Sequence, residues 1–235
     1  VGIGASAGGL ESLEQFFGAM PPDTGTAFIV VQHLSPDFKT LMVELLARYS
    51  DMMISLAVDG EVVEPNHVYL LPPGKDLEIR RGALVLTTKE PRVLPQPIDL
   101  FFRSLAADAG PRAVAVVLSG SGSDGSHGIV AVKGAGGTVL AESAESAHFD
   151  GMPTAATATG VVDFVGAPHE LAAHLCGAAP VPRPQAEDNE PKLVDPNDPL
   201  GQVLGLLDEQ FGIDFSRYKL TTVGRRLERR VSLKG

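Results

Sequence analysis

The chain has no tryptophan, one cysteine and few aromatic side chains, 6% of its 235 residues. The lone Cys176 excludes an internal disulfide framework and a multi-thiolate zinc centre, so a metal-free protein of the cytoplasm is expected. No run of about 18 or more apolar residues occurs, so no membrane-spanning helix is expected. Val1 to Gly9 carries no basic residue ahead of an apolar stretch, which argues against a secretory signal. The abrupt apolar start at Val1 leaves room for sequence upstream. Positive charge is also scarce, with 19 Lys and Arg against 29 Asp and Glu and a net charge of −10. Much of it gathers in residues 215–235, which hold seven basic side chains and one acidic. A body of this sign repels nucleic acid and anionic membrane.

Hydrophobic residues make up 44% and charged residues 20%, ample for one core. From Val1 to about Cys176, short β-branched runs alternate with helical patterns. Thr26 to Gln32 and Ala113 to Leu118 are apolar runs without charge, as buried strands require. Thr138 to Ala141 and Val161 to Val165 are shorter strand candidates. Asp37 to Tyr49, Ile98 to Ala109, Gly128 to Lys133 and His169 to Cys176 carry helical spacing. This alternation predicts an α/β fold with a mainly parallel sheet. One stretch breaks it: His67 to Leu71, Asp76 to Arg80 and Ala83 to Leu86, joined by Pro72-Pro73-Gly74 and Arg81-Gly82, read as an antiparallel meander.

After the body the texture changes. Prolines at 180, 182, 184, 191, 196 and 199, with Glu187, Asp188 and Glu190, mark a linker. The expected organisation is a catalytic domain over 1–178, a linker over 179–199 and a short helical segment over 200–235. Leu200 to Leu207 and Leu220 to Leu233 are amphipathic, the second carrying Arg225, Arg226, Arg229 and Arg230. So short a segment cannot bury much of a core alone and reads as the start of a further domain.

Three places carry candidate chemistry. Gly4-Ala-Ser6-Ala-Gly8 fits the G-x-S-x-G turn between a strand and a helix, with the Ala7 N–H following the nucleophile. Gly2-x-Gly4-x-x-Ala7 also fits a relaxed dinucleotide fingerprint, although no acid ends the next strand to hold a ribose. A structural serine in an ordinary turn is a third reading. His33 follows the strand ending at Gln32, at the sheet edge where α/β proteins place their ligands. His67, His127, His148, His169 and His174 are less well placed. Asp124 sits in Leu118-Ser-Gly-Ser-Gly-Ser-Asp124-Gly, a loop after the second buried strand, either orienting an imidazole or capping the next helix from solvent. No Gly-Lys-Ser/Thr follows, so this is not a phosphate loop of that type. Together the three supply nucleophile, general base and orienting acid at one sheet edge.

At these residues the chain resembles the catalytic domain of bacterial chemoreceptor methylesterases, the CheB type. The likeness rests on five ordered motifs: Ile3 to Gly9, Val31 to Pro36, Val68 to Gly74, Leu118 to Gly125 and Gly151 to Pro153. It implies a doubly wound sheet with an antiparallel hairpin and a triad of Ser6, His33 and Asp124. Backbone oxyanion donors at Ala7 and Ser121 are implied as well. So is cofactor-free hydrolysis of glutamate γ-methyl esters on the cytoplasmic helices of methylated chemoreceptors, together with deamidation of certain glutamines. A non-catalytic receptor-binding scaffold that retains the fold is the rival reading. Ser121 stands where the family usually has methionine, Asp76 where many members place histidine, and Pro97 where a serine is common.

Phe211 to Phe215, Tyr218-Lys219 and Arg225 to Arg230 resemble the opening of a chemoreceptor methyltransferase amino-terminal domain, the CheR type. The pairing implies a downstream methyltransferase domain and a member without the usual receiver domain. It brings no S-adenosylmethionine site, so no transferase activity is expected. The arginine stripe is either a solvated face or a surface for an acidic receptor helix.

Overall fold

The computed structural model describes residues 1–32, 42–88 and 96–177. His33, the first part of the helix expected from Asp37, the linker and the helical segment at 200–235 lie outside the described residues.

Seven strands form one parallel sheet: β1 Gly2–Ala5, β2 Phe28–Gln32, β3 Met53–Leu56, β4 His67–Leu70, β7 Val114–Val117, β8 Thr138–Glu142 and β9 Phe164–Gly166. Their order across the sheet is β3-β4-β2-β1-β7-β8-β9. The chain winds outward from β1 in one direction, then returns to lay β7 on the other side of β1. The carboxyl ends of β1 and β7 therefore flank the switch point, where an open α/β sheet leaves a crevice.

The central strands are apolar on both faces because helices cover both. Ile3 and Ala5 of β1, Phe28 and Val30 of β2 and Val116 of β7 pack beneath α1 Gly9–Gly18, α2 Met42–Leu46 and α6 Pro168–Leu175. Ile29, Val31, Ala115, Val117, Val139 and Ala141 face α3 Pro97–Ala109, α4 Ser126–Gly134 and α5 Gly151–Ala158. On that second face β1 presents glycine. A Cβ on Gly4 would overlap Ile98 Cγ2, and one on Gly2 would lie 2.7 Å from Phe101 Cε1. The two glycines let α3 lie directly on the strand. They are not at a turn where a pyrophosphate would approach, which removes the structural basis of the dinucleotide reading.

The expected meander is corrected in part. β4 is not antiparallel to its successor; it pairs in parallel with β2 and β3. Val68, Tyr69 and Leu70 are almost wholly buried, as a central strand requires. Only β5 Lys75–Arg80 and β6 Ala83–Thr88 form an antiparallel hairpin, turning at Arg81 (φ 53°) and Gly82 (φ 74°). Leu77, Ile79 and Leu84 of the hairpin join the α3 face of the core, and the Ile79 N–H donates to Ser104 Oγ at 3.0 Å. The edge strand β3 and helix α5 carry too few periodic apolar residues to have been expected. The strand predicted from Thr26 starts at Phe28, since the Thr26 carbonyl instead accepts the Asn66 N–H at 2.8 Å.

Gly4→Ala is expected to destabilise the fold by about 1–3 kcal/mol through overpacking. Gly134→Ala, where a Cβ meets nothing within 4 Å, should change stability by less than about 1 kcal/mol. Urea denaturation of the two variants checks the contrast.

Candidate active site

Ser6 follows β1 directly, in the short link to α1. The turn differs from a strained nucleophile elbow. Among the described residues only Asn66 and Arg81 combine a side chain with positive φ, and the left-handed position falls to Gly8 at φ 72°. Glycine is needed there twice over, since a Cβ would also sit 2.7 Å from Ser119 Oγ and 2.8 Å from His148 Cβ.

The backbone around Ser6 is held from three sides. Its N–H donates to the Ser119 carbonyl at 2.9 Å, and its own carbonyl accepts the Gly9 N–H at 3.0 Å. Gln32 Nε2 donates to the same carbonyl at 3.4 Å. Gln32 ends β2, paired with Ala5, and its buried Oε1 has no hydrogen-bond partner among the described residues. Beside Ser6 a cleft of about 440 Å³ is lined by Gly8, Gly9, Leu10, Glu11, Glu14 and Gln32. Burial and the neighbouring Glu11 push the Glu14 carboxyl above the usual glutamate range, partly offset by a hydrogen bond with Tyr49.

The loop after β7 closes over the same edge. Ser119 Oγ donates to the Ala7 carbonyl at 2.9 Å and accepts the Phe149 N–H at 3.0 Å. Gly120 lies so close that a Cβ there would sit 2.9 Å from Ser6 Cβ. The Gly120 N–H donates to the Phe149 carbonyl at 2.9 Å, and its carbonyl accepts the Met152 N–H at 2.8 Å. A Cβ on Gly151 would meet the Gly122 nitrogen at 2.9 Å. The Gly151-Met152-Pro153 motif thus clamps this loop from below. Among the described residues neither the Ala7 nor the Ser121 N–H donates to a protein acceptor.

Asp124 is only 7% exposed, so it is not a solvated cap of the helix that follows it. Its two oxygens accept the Ile98 N–H at 3.0 Å and the Asp99 N–H at 2.9 Å, which caps the earlier helix α3. Pro97 occupies the first position of α3 and has no N–H to satisfy, leaving the next two donors for Asp124. The Asp99 carboxylate in turn accepts the Gly128 N–H of α4 at 2.5 Å and lies 3.3 Å from His127 Nδ1. Ser6 and Asp124 are thus brought to adjacent strand ends, and His33 follows Gln32 in the chain.

Two further residues of this edge were not singled out as candidates in the sequence. Ser119 touches the backbone on both sides of the Ser6–Ala7 peptide. Glu142, 1% exposed at the end of β8, accepts the Ser119 N–H at 2.8 Å. Burial pushes its carboxyl above the usual glutamate range, partly offset by hydrogen bonds from Ser12, the Ser119 N–H and Ser146. Only the position of a charged residue at the end of an apolar strand could have signalled it.

Comparison with known proteins fits this geometry. The family model described as CheB methylesterase matches residues 1–175. The chain belongs to the CheB methylesterase family. A crystal structure of the Thermotoga maritima CheB methylesterase catalytic domain superposes with a TM-score of 0.68 at 31% identity, covering 75% of this chain and 96% of that one. Protein-glutamate methylesterase/protein-glutamine glutaminase 6 of Anaeromyxobacter dehalogenans is 41% identical over 74% of this chain and 52% of its own length. An uncharacterised 104.1 kDa protein of Rhodobacter capsulatus is 36% identical over 82% of this chain and 22% of its own length. The chain therefore spans about half the length of the methylesterase relative, and about a fifth of the Rhodobacter one.

In this CheB-family domain Asp124→Ala should cost about 1–2 kcal/mol through loss of the α3 cap, with Asp124→Asn costing less; thermal unfolding measures both. An acid whose folded pKa is raised binds more protons folded than unfolded, so stability falls as pH rises from the ordinary glutamate range through the raised value. Glu142→Gln should flatten that fall in unfolding scans across pH, leaving the part due to Glu14.

Proposed function

We propose that the chain is the catalytic domain of a protein-glutamate methylesterase acting on methylated chemoreceptor helices in the cytoplasm, with Ser6, His33 and Asp124 as its triad. The supporting observation is the convergence of the Ser6 turn and the buried Asp124 loop on one switch point, inside a fold whose relatives bear that activity in their names. Gln32, one residue before His33, pairs with Ala5, one residue before Ser6, which favours contact between imidazole and hydroxyl.

In this reading Ser6 Oγ attacks the ester carbonyl while His33 takes its proton. The oxyanion that forms meets the Ala7 and Ser121 N–H groups, each such donor being worth about 10²–10³ in rate. The tetrahedral carbon then expels the methoxy group, which takes the proton from His33 and leaves as methanol. Water, deprotonated by His33, attacks the acyl-serine; glutamate is released and Ser6 regains its proton. Asp124 selects the tautomer of His33 and stabilises the imidazolium. With a glutamine side chain the leaving group is ammonia, which accounts for glutaminase activity by the same steps.

Residues 1–178 form the catalytic domain in this proposal, 179–199 a linker and 200–235 the opening of a methyltransferase-type domain. The Rhodobacter match favours a continued arrangement, because its share of the chain runs past residue 175.

Methanol release from methylated receptor tests the triad. Ser6→Ala and His33→Ala should each lower kcat by at least about 10³-fold. Undiminished release by Ser6→Ala would overturn the esterase reading and leave a receptor-binding scaffold.

A further inference from the structure

Glu142 joins the three segments that build the catalytic edge. One oxygen accepts the Ser119 N–H at 2.8 Å, the other accepts the Ser146 hydroxyl at 3.3 Å, and Ser12 of α1 supplies a third hydrogen bond. Ser119 lies after β7, Ser12 in the helix that follows the nucleophile, and Ser146 in the loop leading to Phe149. Ser119 then passes the constraint on. Its carbonyl accepts the Ser6 N–H and its hydroxyl donates to the Ala7 carbonyl, both at 2.9 Å. The peptide between Ser6 and Ala7 is thus clamped at both ends by one residue, and Glu142 holds that residue.

We infer that Glu142 is a positioning residue for the nucleophile: it fixes Ser6 and the Ala7 N–H through Ser119 and does not itself touch substrate. The inference rests on the esterase reading. A buried carboxylate at this site has a cost, because desolvation opposes its charge. Several converging donors offset part of that cost and make it a rigid acceptor. A side chain used only to fill space would be apolar here, as Leu140 and Ala141 beside it are.

Removing the carboxyl leaves the Ser119 N–H without its buried acceptor, so the loop shifts to find another. Displacements near 1 Å at a reacting group cost about 10²-fold in rate. In the full chain, Glu142→Ala should lower kcat for methanol release about 10- to 100-fold while KM stays within about twofold. Glu142→Gln keeps an oxygen for the Ser119 N–H and should recover kcat to within about threefold of wild type. Ser6 labelling by a fluorophosphonate should slow in parallel with kcat. Folded Glu142→Ala with unchanged kcat, or Glu142→Gln as impaired as Glu142→Ala, overturns the inference. If Glu142→Ala does not fold, Ser119→Ala takes its place: it cuts the hydroxyl link to Ala7 and should lower kcat severalfold at unchanged KM, and no change would overturn the inference. Wild-type chain that neither labels at Ser6 nor releases methanol would instead bring down the esterase reading itself, and this inference with it.

Discussion

The seating of α3 on β1 is the constraint from which the site follows. Helix and strand meet without a side chain between them on the strand's side, because Gly2 and Gly4 leave the space that Phe101 and Ile98 fill. That depth brings the amino end of α3 level with the carboxyl end of β1. Ile98 then touches both Gly4 and the space beside Gly125, where a Cβ would lie 2.9 Å from Ile98 Cγ2. The first free N–H groups of the helix face the loop after β7, and Asp124 is drawn onto them. A packing requirement deep in the sheet therefore sets the orientation of a carboxylate at its edge.

For Asp124 the observed helix cap and the proposed orienting role need not compete. Its oxygens satisfy two orphan donors of a helix terminus, the Ile98 and Asp99 N–H groups. An orienting acid must not rotate, and two hydrogen bonds from a helix end hold the carboxyl in place. Asp99 repeats the device one layer out, holding the amino end of α4. The loop between β7 and α4 is thereby tied to two helices, and Gly151 and Met152 close it from a third.

The alternation of apolar runs and helical patterns was enough to read the parallel α/β body, because strands buried on both faces have no other composition open to them. Ser6 and Asp124 were legible as candidate residues in Gly-rich loops that follow such strands, and the structure places those loops at one sheet edge. The role of His67 to Leu71 was not. A short apolar strand beside a Pro-Pro-Gly turn looks the same whether it pairs with the strand after it or with a distant one, and long-range pairing decided for the sheet. β3 escaped notice because Met53 to Leu56 is an edge strand, half exposed and only four residues long. Glu142 belongs to no motif and Ser119 was not singled out within its motif, since their roles consist of bonds to backbone groups 23 to 112 residues away.

By itself the sequence determined the fold class, the family and the residue types available for acyl transfer, because hydrophobic periodicity and Gly-rich turn chemistry are local properties of the chain. Only the tertiary structure decided which helix Asp124 caps, why Gly2 and Gly4 must be glycine and which buried acid bonds the loop beside Ser6. Those depend on distances between segments far apart in the chain, and such distances exist only once β1 and β7 lie side by side.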